Sequence, residues 1–182
     1  MNEEYGKRAG LALQAVRRLH SDTRILLRDC GDKLYNGWES VFGNNVTRDM
    51  TQSIDGWTDF WMAEGLYRHF TKKEMGSIVE ALTVCFIDAK GRNAEPLMIL
   101  SQIRYRLGDR ADVKSVCGWW DGWHAYLDAK DVERQLGVVL APKEFKGNKD
   151  IEWARVLAVP LYSINSVDDV ERLMQRVREA SP

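Results

Sequence analysis

The chain has 182 residues, of which 45% are hydrophobic and 29% are charged, and this composition indicates one globular domain with its own core rather than a disordered segment. Its 26 basic and 27 acidic side chains leave a formal net charge of −1, which excludes a general polyanion binder with a basic surface throughout. The opening residues MNEEYGKRAG lack the apolar run of a secretory signal, and no stretch reaches the ~18 apolar residues of a membrane span.

The cysteines favour a reducing compartment. Cys30, Cys85 and Cys117 are an odd number, lie far apart and include no CxxC pair, so reduced thiols are favoured over a disulfide framework or a structural zinc site. The motifs of the common NTPases, Rossmann enzymes, α/β-hydrolases and zinc proteases are also missing. We therefore expect a cytoplasmic protein with no membrane partner, no metal and no cofactor.

The first predicted element is a long amphipathic helix from about residue 3 to residue 30, which the Gly31-Asp32 pair is expected to end. Eight side chains recur at alternating intervals of four and three residues and form one seam: Tyr5, Ala9, Ala12, Val16, Leu19, Thr23, Leu26 and Cys30. Apolar residues beside this seam widen it. We therefore expect the helix to pack on a sheet of its own chain, with contact to a second chain as the alternative.

A loop and a second helix are predicted next. Residues 36–56 are rich in Gly, Asn, Asp and Ser, which is typical of a loop. A helix is then predicted from Asp55 or Thr58 to about Phe70, because Trp57 and Trp61 lie on the same side of such a helix.

A β-hairpin over residues 78–106 is the clearest strand signal, because two apolar runs flank the turn sequence KGRN. If Gly91 and Arg92 are the central turn residues, Val84 pairs with Ile99. The same register places Glu80 opposite Ile103, on a face that is otherwise apolar. The reverse face of the second strand becomes polar and basic toward its end.

The remaining elements complete a single α+β domain over residues 1–182. A short helix is predicted near 128–135, strands near 136–142 and 153–164, and a final helix after Ser166, with Asp169 in a near capping box. The predicted architecture is a long N-terminal helix and a second helix packed on a mainly antiparallel sheet of about four strands, with a C-terminal helix.

Acidic residues near the hairpin are weak catalytic candidates. A buried Glu80 requires a Lys or Arg partner, a metal, a water-filled pocket or a different register. Asp88 and Lys90 follow on the same strand, and acids with a lysine are typical of nucleases that hold Mg²⁺. However, eight strand residues span about 26 Å, too far for Glu80 and Asp88 to share one ion. We therefore favour turn chemistry and a paired carboxylate.

Arginines and tryptophans form the candidate binding region, residues 104–124. Its members are basic or flat aromatic side chains, which suit the phosphates and bases of single-stranded nucleic acid or a nucleotide: Arg104, Arg106, Trp119, Trp120 and Trp123. Interleaved aspartates reduce the local charge, so ordinary surface arginines are the favoured interpretation. The glycines at 118 and 122 imply that the three rings cannot all face one way and that at least one enters the core.

A second catalytic candidate lies in the same segment. His124 follows Asp121 by three residues, which brings the two together on a helical turn, where the carboxylate can fix the imidazole tautomer. Cys117 precedes His124 by seven residues, so a Cys–His arrangement is conceivable. A structural hydrogen bond is the favoured interpretation. We expect Asp121 and His124 to form a contact surface with the exposed tryptophan rings.

These observations predict an interaction or accessory protein that binds another protein or forms a homo-oligomer. The seven tryptophans support this prediction, because tryptophan is enriched at interface hot spots. The alternative, from another class, is a nuclease-like enzyme or a sensor that acts on nucleic acid or a nucleotide. It would use the carboxylates near the 78–106 hairpin and the 104–124 region.

Overall fold

The computed structural model describes residues 3–43, 65–86, 95–129, 136–142 and 145–180. Within these ranges the helices are α1 (Glu3–Leu34), α2 (Asp121–Asp128) and α3 (Val167–Glu179). The strands are β1 (Glu39–Ser40), β2 (Gly65–Thr71), β3 (Ile78–Cys85), β4 (Leu97–Tyr105), β5 (Val139–Leu140) and β6 (Ile151–Pro160). The predicted α+β class is confirmed, with six described strands rather than about four.

The strands form one antiparallel sheet in the order β1-β2-β3-β4-β6-β5, and both of its faces are covered. Helices α1 and α3 pack on one face, which we call the α1/α3 face, and α2 packs on the other, the α2 face. The α1/α3 face buries, among others, Leu27, Leu82, Leu100, Leu157, Val170 and Met174. The α2 face buries, among others, Ile99, Ile103, Trp123, Tyr126 and Ala158. Because strands covered on both sides need apolar residues at successive positions, most residues of β3 and β4 are apolar without a strict alternation.

Helix α1 continues past its predicted end. Gly31 lies inside the helix, and a Cβ atom there would be 3.1 Å from the Arg68 guanidinium and 3.4 Å from the Phe70 ring. The glycine therefore permits close packing on β2 instead of ending the helix. Leu27 and Cys30, within the preceding turn of the helix, are fully buried against the same sheet. This burial outweighs the tendency of Gly31-Asp32 to end a helix.

The second predicted helix is wrong over residues 65–70, because these residues belong to β2. Its earlier part lies outside the described residues. Six of the seven β2 residues are buried, so apolar and polar side chains do not alternate along the strand. That alternation is the sequence signal that distinguishes a half-buried strand from a helix. Helix α2 begins upstream of the helix predicted near 128–135 and ends at Asp128, where that prediction begins. Residues 130–135 lie outside the described residues.

The predicted hairpin pairs its strands one residue out of register. Val84 lies opposite Met98 rather than Ile99, and Glu80 lies opposite Gln102 rather than Ile103. Because strand side chains alternate between faces, a one-residue slip changes the face that each pair shares. Glu80 is therefore not on the face of Ile103 but on the α1/α3 face. The assumed two-residue turn caused the error, since the described strands end at Cys85 and resume at Leu97.

The C-terminal helix confirms the predicted cap. Asp169 donates its backbone N–H to the Ser166 hydroxyl at 3.3 Å, and the Asp169 carboxylate accepts the Ser166 backbone N–H at 3.1 Å. This reciprocal pair is a capping box with Asp in place of the usual Glu or Gln. The apolar side of α3 then packs on the α1/α3 face.

Candidate functional site

The predicted catalytic carboxylate Glu80 is paired inside the protein. Its side chain is 1% exposed, and Arg178 of α3 donates to both of its oxygens, from Nε at 2.8 Å and from Nη2 at 2.7 Å. Such a bidentate pair is the strongest geometry for an arginine and a carboxylate. Of the compensations that the sequence left open, the structure shows an arginine partner and a different register.

Neighbouring side chains extend this ion pair across the sheet. Gln102 donates from Nε2 to Glu80 at 3.4 Å and accepts from Arg155 Nη1 at 3.2 Å. Arg155 also donates to the Arg178 carbonyl at 3.3 Å. These contacts link strands β3, β4 and β6 to the end of α3. Glu80 therefore has a structural role in this network rather than the catalytic role considered from the sequence. The other two hairpin candidates, Asp88 and Lys90, lie outside the described residues.

A second polar cluster surrounds Asp121 on the α2 face. Asp121 is buried, and its Oδ2 atom accepts hydrogen bonds from Gly118 N at 2.7 Å, Tyr105 OH at 2.8 Å and Asn148 Nδ2 at 2.9 Å. Burial raises the pKa of Asp121, while these three hydrogen bonds and the nearby His124 oppose the rise. The carboxylate therefore joins the start of α2 to the end of β4 and to the segment before β6.

Cys117 contacts His69 of β2 in the same cluster, whereas the sequence had suggested an arrangement of Cys117 with His124. His69 lies in the segment that was predicted as the end of the second helix. The Cys117 Sγ atom lies 3.6 Å from His69 Nδ1 and 3.3 Å from the Tyr105 hydroxyl oxygen. Burial raises the pKa of the Cys117 thiol to about 12 and lowers that of His69 to about 3. Both groups are consequently neutral at pH 7, and this thiol is not an activated nucleophile.

The three tryptophans divide between core and surface. Trp123 is buried in the core of the α2 face, Trp120 packs partly buried against it, and Trp119 is 37% exposed. The expectation that at least one ring enters the core is confirmed. The expected contact surface is wrong in one member, because Asp121, the first residue of α2, is buried and cannot belong to an exposed surface. His124 is half-buried.

The predicted binding arginines interact with their own chain. Arg104 forms an ion pair with Glu152, 3.4 Å between Nε and Oε2, and Arg106 donates to the Lys149 carbonyl at 3.3 Å. Arg104 projects to the α1/α3 face of β4, whereas Trp120 and Trp123 pack on the α2 face. The sheet therefore separates these groups instead of bringing them to one site.

Replacing Asp121 with asparagine tests its structural role. Because all three donors meet Oδ2, the amide oxygen of asparagine can take that position, but it is a neutral and weaker acceptor, and the NH2 group is then buried at the Oδ1 position. We therefore expect the free energy of unfolding to fall by about 1–3 kcal/mol. Chemical denaturation measures the change, and the exposed Asp109→Asn is the matched control, expected within about 0.5 kcal/mol of the unchanged protein. Equal effects of the two substitutions would contradict the role assigned to the cluster.

The N-terminal part of α1, residues 3–22, is mostly exposed, with His20 half-buried against the Phe86 ring, and we call it the α1 arm. Thr23 is the first buried residue of the helix. Before it, the sequence seam remains at the surface: Tyr5 is 63% exposed, and Leu19 and the flanking Leu13 are also exposed. The predicted packing of α1 on the sheet therefore holds only for its second half.

An apolar groove of about 500 Å³ lies where the α1 arm leaves the sheet, and we call it the α1 groove. One wall is the α1 helix, and the other is the turn after β6 together with the residue before β4. The lining residues are Leu19, Asp22, Thr23, Leu26, Pro96, Leu161, Tyr162, Ile164 and Asn165. Tyr162 is 76% exposed at the groove. The seam and the groove form one continuous surface, because three seam residues line the groove.

Among the described residues, no three His, Cys, Asp or Glu side chains are grouped closely enough to hold a metal ion. Of the described helices, none combines the length and the apolar character needed to cross a bilayer. Comparisons with known protein families, curated proteins and solved structures found no match to this chain.

Proposed function

We propose that the protein is a cytoplasmic interaction protein that self-associates through the α1 arm. The observation that carries the proposal is the seam from Tyr5 to Leu19, which has the spacing of a helix-pairing surface. Tyr5, Ala12 and Leu19 are exposed, and Ala9 and Val16 are half-buried. Contiguous exposed apolar surface of this kind is typical of protein–protein interfaces.

Helix energetics support the proposal. Most helices in proteins are stabilised chiefly by tertiary packing of their apolar side rather than by intrinsic helix propensity. The α1 arm has little such packing against the described residues, so a second apolar surface would stabilise it. The apolar α1 groove extends the same surface onto the folded body.

Further observations bear on the compartment and on the alternative function. The three cysteines are free and buried, which supports a reducing compartment. No specific observation favours action on nucleic acid or a nucleotide, because Glu80 is held by Arg178 and Arg104 by Glu152. We therefore make no second proposal.

Light scattering coupled to size exclusion tests self-association. At tens of micromolar the protein is expected at about twice the mass of one chain, and Ala12→Asp is expected to reduce it to one chain, because a charge in an apolar interface is costly. Leu11→Asp is the matched control. Leu11 is 66% exposed next to the seam but not on it, so its substitution should leave the dimer intact.

Two outcomes would overturn the proposal: a strict monomer of the unchanged protein, or equal dissociation by Ala12→Asp and Leu11→Asp. Circular dichroism of the variants checks that neither substitution unfolds the sheet, which is expected since both side chains are exposed.

A further inference from the structure

We infer that two copies pair their α1 arms antiparallel, with Tyr5 of each arm seated in the α1 groove of the other copy. The inference rests on the proposed self-association and names its occupant, a second copy of this chain. In this register the seam residues face one another in three kinds of layer: Tyr5 with Thr23, Ala9 with Leu19, and Ala12 with Val16. Each layer occurs twice by the two-fold symmetry.

Side-chain size favours this register. Each of the three layers joins a large residue to a small one, so the layers fill similar volumes along the interface. A parallel pair would instead place every seam residue against its own copy. Ala9 would then meet Ala9 and Leu19 would meet Leu19, which leaves gaps at one end and crowding at the other.

Charge favours the same register. In antiparallel helix pairs the residues that flank the seam on one side meet each other, and here they bring Arg8 of one copy to Asp22 of the other, twice by symmetry. Within one chain Arg8 has only the exposed Glu4 and Asp22 only the exposed Arg18 as ion-pair partners among the described residues. A parallel pair would place Arg8 opposite the apolar Leu13.

The fold restricts sliding of the two arms. If each arm slid seven residues further toward the sheet of the other copy, Tyr5 would lie opposite Cys30. Cys30 is fully buried in its own domain. Moving the register one heptad the other way would leave Leu19 without a seam partner and Arg8 opposite Ala15. The register with Tyr5 opposite Thr23 is therefore the one that covers the exposed seam and ends at the first buried residue.

The α1 groove matches the side chain that this register brings to it. Thr23 lines the groove, is 3% exposed and donates its hydroxyl to the Leu19 carbonyl at 2.8 Å, so this hydroxyl needs no partner from Tyr5. Leu161 and Ile164 provide an apolar opposite wall, and Asn165 adds a polar group to the lining. A tyrosine has an apolar ring and one polar end, so Tyr5 of the second copy suits this lining.

Cysteine cross-linking tests the antiparallel pairing. A sample that contains Ala12→Cys chains mixed with Val16→Cys chains is expected to form a disulfide between the two variants under mild oxidation, whereas Ala12→Cys alone should cross-link poorly. Parallel arms would reverse this result, because Ala12 would face Ala12. The native cysteines are buried and free, so background cross-linking should be low.

Charge reversal tests the register. Arg8→Asp and Asp22→Arg are each expected to raise the dimer Kd by about tenfold, because each places like charges opposite one another twice. The double variant should return to within about threefold of the unchanged protein. Arg17→Asp makes the same charge change on the outer side of the arm and is the matched control.

Tyr5 substitution tests the groove. Tyr5→Ala is expected to raise the dimer Kd at least tenfold, while Tyr5→Phe should stay within about threefold. An unchanged Kd for Tyr5→Ala would overturn the seating of Tyr5 and leave a small apolar ligand as the occupant of the groove. A dimer that fails both the mixed cross-link and the charge rescue would overturn the antiparallel pairing alone. A monomer would overturn the proposed function as well.

Discussion

Replacing Arg178 with methionine is expected to lower the free energy of unfolding by about 3–5 kcal/mol, because it leaves the Glu80 carboxylate buried without its counter-charge. Glu80 is 1% exposed, so water cannot replace the lost partner without opening the sheet–helix interface. Gln102 remains in contact at 3.4 Å, but a neutral amide does not balance the charge. Urea denaturation of the variant and the unchanged protein measures the difference.

The partner substitution separates this explanation from a general packing defect. Glu80→Met should destabilise less than Arg178→Met, because the Arg178 side chain is 30% exposed and its charge can still reach water. The double variant should be more stable than Arg178→Met alone, since apolar replacement of both ions removes the unpaired charge. Arg172→Met is the matched control on α3, where an exposed pair with Asp169 is worth at most about 1 kcal/mol. A double variant less stable than both single variants would contradict the expected rescue.

Local patterns predicted the elements that local interactions define. The seam of α1 and the cap at Ser166 depend on residues three or four apart, and both are present. The apolar runs on either side of KGRN predicted β3 and β4. The N-terminal and C-terminal helices, and the antiparallel sheet between them in the chain, could therefore be predicted from the sequence.

The same local sequence patterns could not predict interactions between residues that are far apart in the chain. Glu80 and Arg178 are 98 positions apart, and only the packing of α3 across the sheet brings them together. The register of β3 on β4 depended on a turn that was assumed, and one residue of slip moved Glu80 to the other face. His69 was assigned to a helix because the burial of β2 on both faces hides its alternation.

The candidate interface also combines a local pattern, which the sequence shows, with long-range contacts, which it does not. The seam of α1 is a local pattern, and its capacity to pair with a second chain could be predicted from sequence. Which half of the seam remains exposed could not, since this depends on where the sheet ends beneath the helix. The α1 groove also requires Pro96 and the turn around Leu161 to approach α1 from distant parts of the chain.

Replacing His69 with phenylalanine is expected to make the protein markedly more resistant to acid. Burial lowers the pKa of His69 from 6.5 to about 3, so between these pH values the unfolded chain binds a proton that the folded chain does not. Above pH 6.5 His69 is neutral in both states and does not make the free energy of unfolding depend on pH. As the pH falls from 6.5 toward 3, protonation of the unfolded chain alone lowers that free energy. The loss is about 1.4 kcal/mol per pH unit, on the order of 5 kcal/mol in total.

The expected measurement is the slope of unfolding free energy against pH between 6.5 and 3. It should be lower in His69→Phe by about 1.4 kcal/mol per unit. Near pH 8 the two proteins should agree within about 1 kcal/mol, because the substitution removes a buried Nε2 that has no hydrogen-bond partner in the described chain while losing the contact to Cys117.

His20 provides the matched control for this prediction. It is half-buried, and burial lowers its pKa in the same direction as that of His69, so His20→Phe should change the slope less. Asp121 acts in the opposite sense, because burial raises its pKa and its contribution to stability falls as the pH rises above 3.8. Since Asp121 is unchanged in both variants, the difference in slope isolates the imidazole. Equal slopes for His69→Phe and the unchanged protein would contradict the lowered pKa of His69.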